Sequence, residues 1–120
     1  MRRFVSLAAL LALGAALPAA AQTGCPPHLN LERIESRIVG TDRGGEPMRG
    51  HFAVFFNSGG TSTGVRVTRG PVEGVSGQPP TTATILAPGR THLIPVGTSV
   101  GTVWAPESAI RAAQAYGCRV

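Results

Sequence analysis

The chain has 120 residues, and its 11 basic side chains, all arginine, outnumber six acidic ones to give a formal net charge of +5. Sixteen glycines and ten prolines exclude a helical bundle or a long coiled coil, because both residues are costly inside helices. A chain of this length forms one domain, and its lack of lysine excludes a P-loop phosphate site, which needs that residue.

Residues 1–21 are predicted to be a secretion signal. A charged start precedes an apolar run from Phe4 to Leu17, and Pro18 to Ala21 supplies the small residues that a signal peptidase recognises. The run is shorter than the roughly 20 apolar residues of a membrane-spanning helix, and no second such stretch follows. We therefore expect one mature domain, residues 22–120, that is periplasmic or secreted and has no integral membrane segment.

The mature chain contains two cysteines, Cys25 near its start and Cys118 near its end. An exported chain with an even cysteine count is most simply disulfide-bonded, so we predict a bridge that encloses nearly the whole domain. The alternative is a lipoprotein, because Thr23 and Gly24 are the small residues found before a lipidated cysteine. Gln22 departs from that pattern, and a lipidated Cys25 would leave Cys118 without its partner.

The first half of the mature domain is predicted to be mainly extended. Leu29 to Val39 alternates apolar and polar residues as a strand does, although Asn30 as a cap and Gly40 as a stop also fit a short helix. Gly40 to Gly50 is rich in glycine and is predicted to be a loop. Two strands then follow, His51 to Asn57, which is apolar on both faces and therefore central, and Gly64 to Arg69, with Val65 and Val67 inward.

The second half begins with a predicted loop over Gly70 to Pro80 that has room for a short strand near Val72. Three further strands are predicted, over Thr81 to Ala87, Thr91 to Val96 and Ser99 to Trp104, with Pro95 marking an edge or a strand end. Pro106 at a first helical position and Gly117 as a terminator then predict one short helix, with Ile110, Ala113 and Tyr116 on one side.

Short strands at close spacing, with glycine and proline turns between them, predict an all-β fold. The pattern favours a small antiparallel sandwich with one C-terminal helix and a terminal disulfide, and a small barrel is the alternative. The segments LNLERIESRIVG (29–40), AVFFNSGG (53–60), TGVRVT (63–68) and ILAPG (85–89) together resemble bacterial immunoglobulin-like modules of the CARDB type. That resemblance spans Leu29 to Val96 and implies a binding sandwich of exported envelope proteins, without catalytic residues to carry over.

Few residues of the sequence suggest a catalytic or metal-binding site. Catalysis of hydrolysis needs a nucleophile beside a base and an orienting acid, yet no serine lies in Gly-x-Ser-x-Gly and no two acids have a spacing that implies a shared site. We predict no enzymatic activity and no cofactor. Imidazole and thioether groups suit copper, so a periplasmic metal carrier is the alternative. Its candidate ligands are His28, Met48, His51 and His92.

The remaining candidate is a basic face for acidic glycans or anionic lipid headgroups, formed by Arg33, Arg37, Arg66 and Arg69. A solvated polar face with interspersed acids explains the same residues more simply. Export and the scarcity of aromatic residues disfavour nucleic acid. The sequence therefore predicts an interaction module that binds another envelope or secreted protein through a sheet edge or face. A carrier of a small ligand or metal is the alternative function.

Overall fold

The computed structural model describes residues 21–102 and 105–118. The predicted leader lies outside this part except for Ala21, and so does Trp104 at the end of one predicted strand. No helix in the described ranges is long and apolar enough to cross a bilayer. The elements are β1 (Ala21–Thr23), β2 (Leu29–Thr41), β3 (Pro47–Asn57), β4 (Thr63–Arg69), β5 (Thr84–Leu86), β6 (Arg90–Val100), α1 (Glu107–Ala112) and β7 (Gln114–Gly117).

The strands form two sheets, and the predicted all-β sandwich is confirmed. One sheet has three antiparallel strands in the order β2-β3-β6, so β3 is central, as its two apolar faces predicted. The other has the order β1-β7-β4-β5, in which β4 pairs antiparallel with β5 and β7, and β1 runs parallel to β7. The segment from Leu29 to Val39 is a strand and not a helix, and it continues to Thr41.

The apolar core lies between the sheets. Ala53 and Phe55 of β3 are fully buried there, and the Phe55 ring meets the Tyr116 ring edge to face with centroids 5.0 Å apart. Val65 and Val67 point inward from β4, as predicted, and α1 contributes Ile110. Other members of this core are Leu29, Leu31, Ile34, Leu86, Ile94, Val96 and Ala105.

The predicted disulfide between Cys25 and Cys118 is present, with the two Cα atoms 4.7 Å apart. Cys25 precedes the first strand of the three-stranded sheet, and Cys118 follows the last strand of the four-stranded sheet. Both side chains pack against the core. Thr23 of β1 lies opposite Gly117 of β7, so the bond lies at the end of this strand pair and crosslinks the two ends of the described chain.

The prediction of a loop over Gly40 to Gly50 is wrong at both ends of that segment. β2 continues to Thr41 and β3 starts at Pro47, so the connection is a tight turn between them. The Asp42 carboxylate accepts hydrogen bonds from the backbone N–H groups of Gly44 and Glu46, each 2.9 Å long. Gly45 has a φ of +83°, which glycine adopts at no steric cost. One aspartate thus closes a hairpin that composition alone presented as a loop.

Strands β5 and β6 also differ from the prediction. The segment from Thr81 to Ala87 pairs only over Thr84–Leu86. The two strands predicted on either side of Gly97 are one strand, β6, whose register with β3 shifts between His51 and Phe52. Because that shift absorbs an extra residue as a bulge, the chain continues past Gly97 without a break, and Pro95 lies within an edge strand.

The predicted helix over residues 106–117 is half helix and half strand. It starts at Glu107, one residue after the predicted first position Pro106, and ends at Ala112, and Gln114–Gly117 forms β7 between β1 and β4. Ala113 and Tyr116 therefore do not share a helix face with Ile110. In β7 every second side chain points inward, so Gln114 and Tyr116 are buried. The segment is a strand because one side of β4 is available to pair with it. The pairing with β4 overrides the helical propensity of the alanines.

Candidate functional site

The outer edge of β2 carries two neighbouring exposed apolar side chains. Within the described ranges no strand pairs with this edge, and β2 is the longest strand at 13 residues. Ile38 is 61% exposed, Val39 is 50% exposed, and Val100 on β6 is 46% exposed at the same end of the sheet. An exposed apolar edge of this kind is a template for pairing with another chain.

The start of the same edge is covered by the helix. The Arg111 guanidinium at the end of α1 donates hydrogen bonds to the carbonyl oxygens of Leu31 at 2.9 Å and Glu32 at 3.2 Å. These bonds lie at the shift in register between Leu31 and Arg33. The uncovered stretch consequently runs from Arg33 to Thr41, which we call the β2 edge.

Charged side chains line the outer face beside the β2 edge. Glu35 lies between two arginines: its carboxylate forms an ion pair with Arg37 and a second one with Arg33 at 3.1 Å. Hydrogen bonds from Arg37 and Arg33 lower the pKa of the Glu35 carboxyl. The Arg37 guanidinium also lies 5.4 Å from the centroid of the Phe52 ring on the neighbouring strand, a cation–π distance.

Gly50 allows this outer face to pack closely. A Cβ atom at Gly50 would lie 2.9 Å from Cγ1 of Val39 and 3.1 Å from the Phe52 ring. Both distances are shorter than normal carbon contacts, so glycine leaves the space that Val39 and Phe52 fill. The uncovered end of the sheet is therefore a packed apolar surface with a charged flank.

A hydrogen-bonded chain lies behind the β2 edge on the inner face. Ser36 Oγ is 2.7 Å from His51 Nδ1, and His51 Nε2 is 2.8 Å from Ser99 Oγ. The Ser99 hydroxyl donates to the Gly74 carbonyl oxygen at 2.8 Å. Its single proton is thereby used, so Nε2 donates to Ser99 and Nδ1 accepts from the Ser36 hydroxyl. This series of hydrogen bonds connects β2, β3, β6 and one loop through a neutral imidazole.

The environment of His51 favours this neutral form. The side chain is fully buried. Burial lowers the pKa of His51, the positive charges of Arg49 and Arg69 lower it further, and Glu107 opposes them. The Nδ1 atom of His51 faces the Ser36 hydroxyl, whereas in a hydrolase this nitrogen faces a carboxylate that stabilises the imidazolium. We therefore interpret Ser36, His51 and Ser99 as a structural support for the β2 edge.

The buried imidazole predicts a pH dependence of stability. The unfolded chain binds a proton at the ordinary histidine pKa of about 6.5, whereas the folded chain resists protonation. The contribution of His51 is complete above that pH and is lost as the pH falls through the lower pKa of the folded protein. Urea unfolding of the native chain and of His51→Gln at a series of pH values checks this. Parallel curves for the two proteins below pH 6.5 would contradict it.

A shallow cleft of about 290 Å³ opens beside the β2 edge. Ile38 and Arg49 lie opposite each other across β2 and β3 and line it, together with Pro47, Gly101 and Thr102. The cleft offers space for an apolar side chain that follows an added strand.

The four predicted metal ligands do not converge. His51 is in the core, and Met48 lies three residues before it on the same strand. His92 pairs with Phe55 further along the sheet, and its Nε2 accepts the Ala87 N–H at 3.0 Å. His28 lies at the far end against Gly59. Within the described ranges no three histidine, cysteine or acidic side chains form a group that would hold a metal ion.

The structure also separates the four arginines of the predicted basic face. Arg33 and Arg37 lie on the outer face of the three-stranded sheet, and Arg66 is exposed on the other sheet. Arg69 is only 7% exposed, and its guanidinium donates to the carbonyl oxygens of Val96 at 2.7 Å, Gly70 at 2.9 Å and Gly77. The four arginines therefore do not share one face, because β4 alternates and its odd-numbered residues point inward.

Ser36 and Ser99 were not predicted as partners of His51. In the sequence, the only signal for Ser36 is its place on the inner side of β2, two residues after the buried Ile34. That Ser36 lies opposite His51 follows only from the register of the β2–β3 hairpin. A search against protein-family models finds no match for this chain, and no curated protein or solved structure matches it.

Proposed function

We propose that this protein is an exported interaction module that binds an extended segment of another envelope or secreted protein along the β2 edge. The observation that carries the proposal is the exposure of Ile38 and Val39 on an edge strand that nothing in the described ranges covers. A segment added there gains main-chain hydrogen bonds and buries both side chains.

The surroundings of the β2 edge suit this role. The outer face offers charges of both signs, Arg33, Glu35 and Arg37, so a partner with alternating charge is recognised in one register. The cleft beside Ile38 accepts one apolar side chain. The His51 hydrogen bonds hold β2 against the sheet, which reduces the loss of conformational freedom on binding.

Export and an immunoglobulin-like fold belong to the same proposal. The disulfide supports an oxidising compartment such as the periplasm or the exterior of the cell. The sheet membership supports the family resemblance, because β2, β3 and β6 share one sheet as the A, B and E strands of immunoglobulin domains do. Binding through sheet surfaces is common among such sandwiches, and we propose no catalytic step.

The test places a photo-crosslinking amino acid at Val39 in the protein expressed in its own cells. A discrete cross-linked adduct with one other exported protein is expected, and a second substitution, Ile38→Lys, is expected to reduce its yield at least about fivefold. A charged lysine on an edge blocks strand addition. The adduct is identified by mass spectrometry and its yield is measured by immunoblot.

Ile85→Lys is the matched control. Ile85 is 62% exposed, which equals the exposure of Ile38 within a per cent, but it lies on the short strand β5 of the other sheet. This control should retain the adduct. Equal loss from both lysine variants, or the lack of any adduct from position 39, would refute binding along the β2 edge.

A further inference from the structure

One side of β4 is unpaired over half of its length. β5 pairs with β4 only at Thr63, Gly64 and Val65, whereas β7 pairs with its opposite side at Arg66–Arg69. In the described ranges no strand continues the line of β5 along Arg66–Arg69. Alternate residues of a strand direct their main-chain groups to opposite sides, and Gly70 donates to Ala113 on the β7 side, so Val67 and Arg69 present unpaired main-chain groups along this stretch of about 13 Å.

The chain's own sequence does not fill this position. Continuing the register of Val65 with Thr84 would place Ala83 opposite Arg66 and Thr81 opposite Thr68. The residues are suited to a strand, yet the segment turns away from β4 before Thr84. A cleft of about 280 Å³ separates Arg66–Arg69 from residues 78–81.

Two attachments fix the position of the loop. Ser76 exchanges backbone hydrogen bonds of 2.9 Å with Thr98 of β6, and the Arg69 guanidinium holds the carbonyl oxygen of Gly77. The loop then continues through Pro79, which is buried, and Pro80, which is partly buried. Neither proline has an N–H group with which to pair with β4. The opening is therefore held by fixed contacts on its loop side.

The charge around the opening is positive. Arg66 is exposed on the outer face of β4, and Arg69 lies at the inner end of the cleft. The other lining residues are Val67, Thr68, Gln78 and the segment from Pro79 to Thr81, so the described lining contains no acidic side chain. An extended segment with carboxylates at its outward positions is complementary to Arg66.

We propose that the slot between Arg66–Arg69 and residues 78–81 is a binding site for an acidic, extended peptide segment of a partner protein. The segment adds to β4 in line with β5 and antiparallel to β4, and it exchanges main-chain hydrogen bonds with the unpaired side of Arg66–Arg69. This site lies on the other sheet from the β2 edge and does not depend on the function proposed there.

The test selects a phage-displayed library of random heptapeptides on the oxidised native protein. The selected peptides are expected to be rich in aspartate and glutamate. Binding of a synthetic selected peptide is expected to shift the amide NMR signals of Arg66–Arg69 and to slow the hydrogen exchange of Val67 and Arg69, whose amides face the slot. Arg66→Glu should weaken the affinity about fivefold or more, because it replaces an attraction by a repulsion.

Arg43→Glu is the matched control, since Arg43 is an exposed arginine in the β2–β3 turn and the change in net charge is the same. It should leave the affinity within about twofold, and Ile38→Lys should do so too, which separates this test from that of the β2 edge. Selected peptides without an acidic excess, signal shifts elsewhere, or equal weakening by the two glutamate variants would overturn the proposal. Slow hydrogen exchange of the Val67 and Arg69 amides in the free protein would also overturn it, because residues 81–83 would then occupy the slot.

Discussion

Replacing Cys25 and Cys118 together by alanine is expected to lower the free energy of unfolding by about 4–5 kcal/mol. The bond joins residues 93 positions apart, and the loss of chain entropy that a crosslink imposes on the unfolded state grows with loop length. A domain of this size has a total stability of only about 5–15 kcal/mol. Urea unfolding followed by circular dichroism measures the change.

The native protein under reducing conditions provides the control for that variant. It should unfold at the same urea concentration as the double alanine variant, because both lack the same crosslink. A variant within about 1 kcal/mol of the oxidised protein would show that the sheets hold together without the bond. If lipidation of Cys25 replaced the bond in the cell, the native oxidised and reduced proteins would have equal stability.

Arg69→Met is expected to lower the free energy of unfolding by about 2–4 kcal/mol, because it leaves one buried and two partly buried carbonyl oxygens without their charged donor. Those oxygens belong to β6, to the residue after β4 and to the loop at Gly77. The substitution removes the charge but keeps an unbranched side chain of similar reach. Chemical denaturation measures the loss, which should persist in high salt since the contacts are buried.

Arg66→Met is the matched substitution three residues earlier on the same strand. Arg66 is exposed, so the change should alter the stability by less than about 0.5 kcal/mol. Equal effects of the two substitutions would show that Arg69 is as dispensable as a surface arginine. Arg69→Met should also loosen the loop at Gly77, which would appear as faster hydrogen exchange from Ser76 to Gln78.

The two proposed binding sites lie on different sheets of the sandwich and would bind different segments. The β2 edge is apolar and carries charges of both signs, whereas the slot beside β4 is lined by arginine without acidic residues. The proposed sites would therefore distinguish segments of different chemistry by the sheet that each segment extends. The core contact between Phe55 and Tyr116 keeps the two sheets in fixed relation.

Local patterns in the sequence determined the strands that alternate cleanly, the central place of His51–Asn57 and the disulfide. Each rests on residues close in the chain or on a chemical rule that needs no geometry: alternation sets the face of a strand, and two exported cysteines pair. The alternation of Val65 and Val67 also indicates that Arg69 points inward. Arginine is usually exposed, however, and that general preference favours the opposite direction.

Only the tertiary structure decided the features that depend on partners far apart in the chain. Gln114–Gly117 is a strand because β4 lies beside it, and Ser36 meets His51 because the hairpin register places them opposite each other. The segment from Thr81 to Ala83 has the composition of a strand but stays unpaired, since the preceding loop is fixed by the pairing of Ser76 with Thr98 and by the Arg69 side chain at Gly77. Main-chain pairing is non-local, so the same residues form a strand, a helix or a loop according to which edge is within reach.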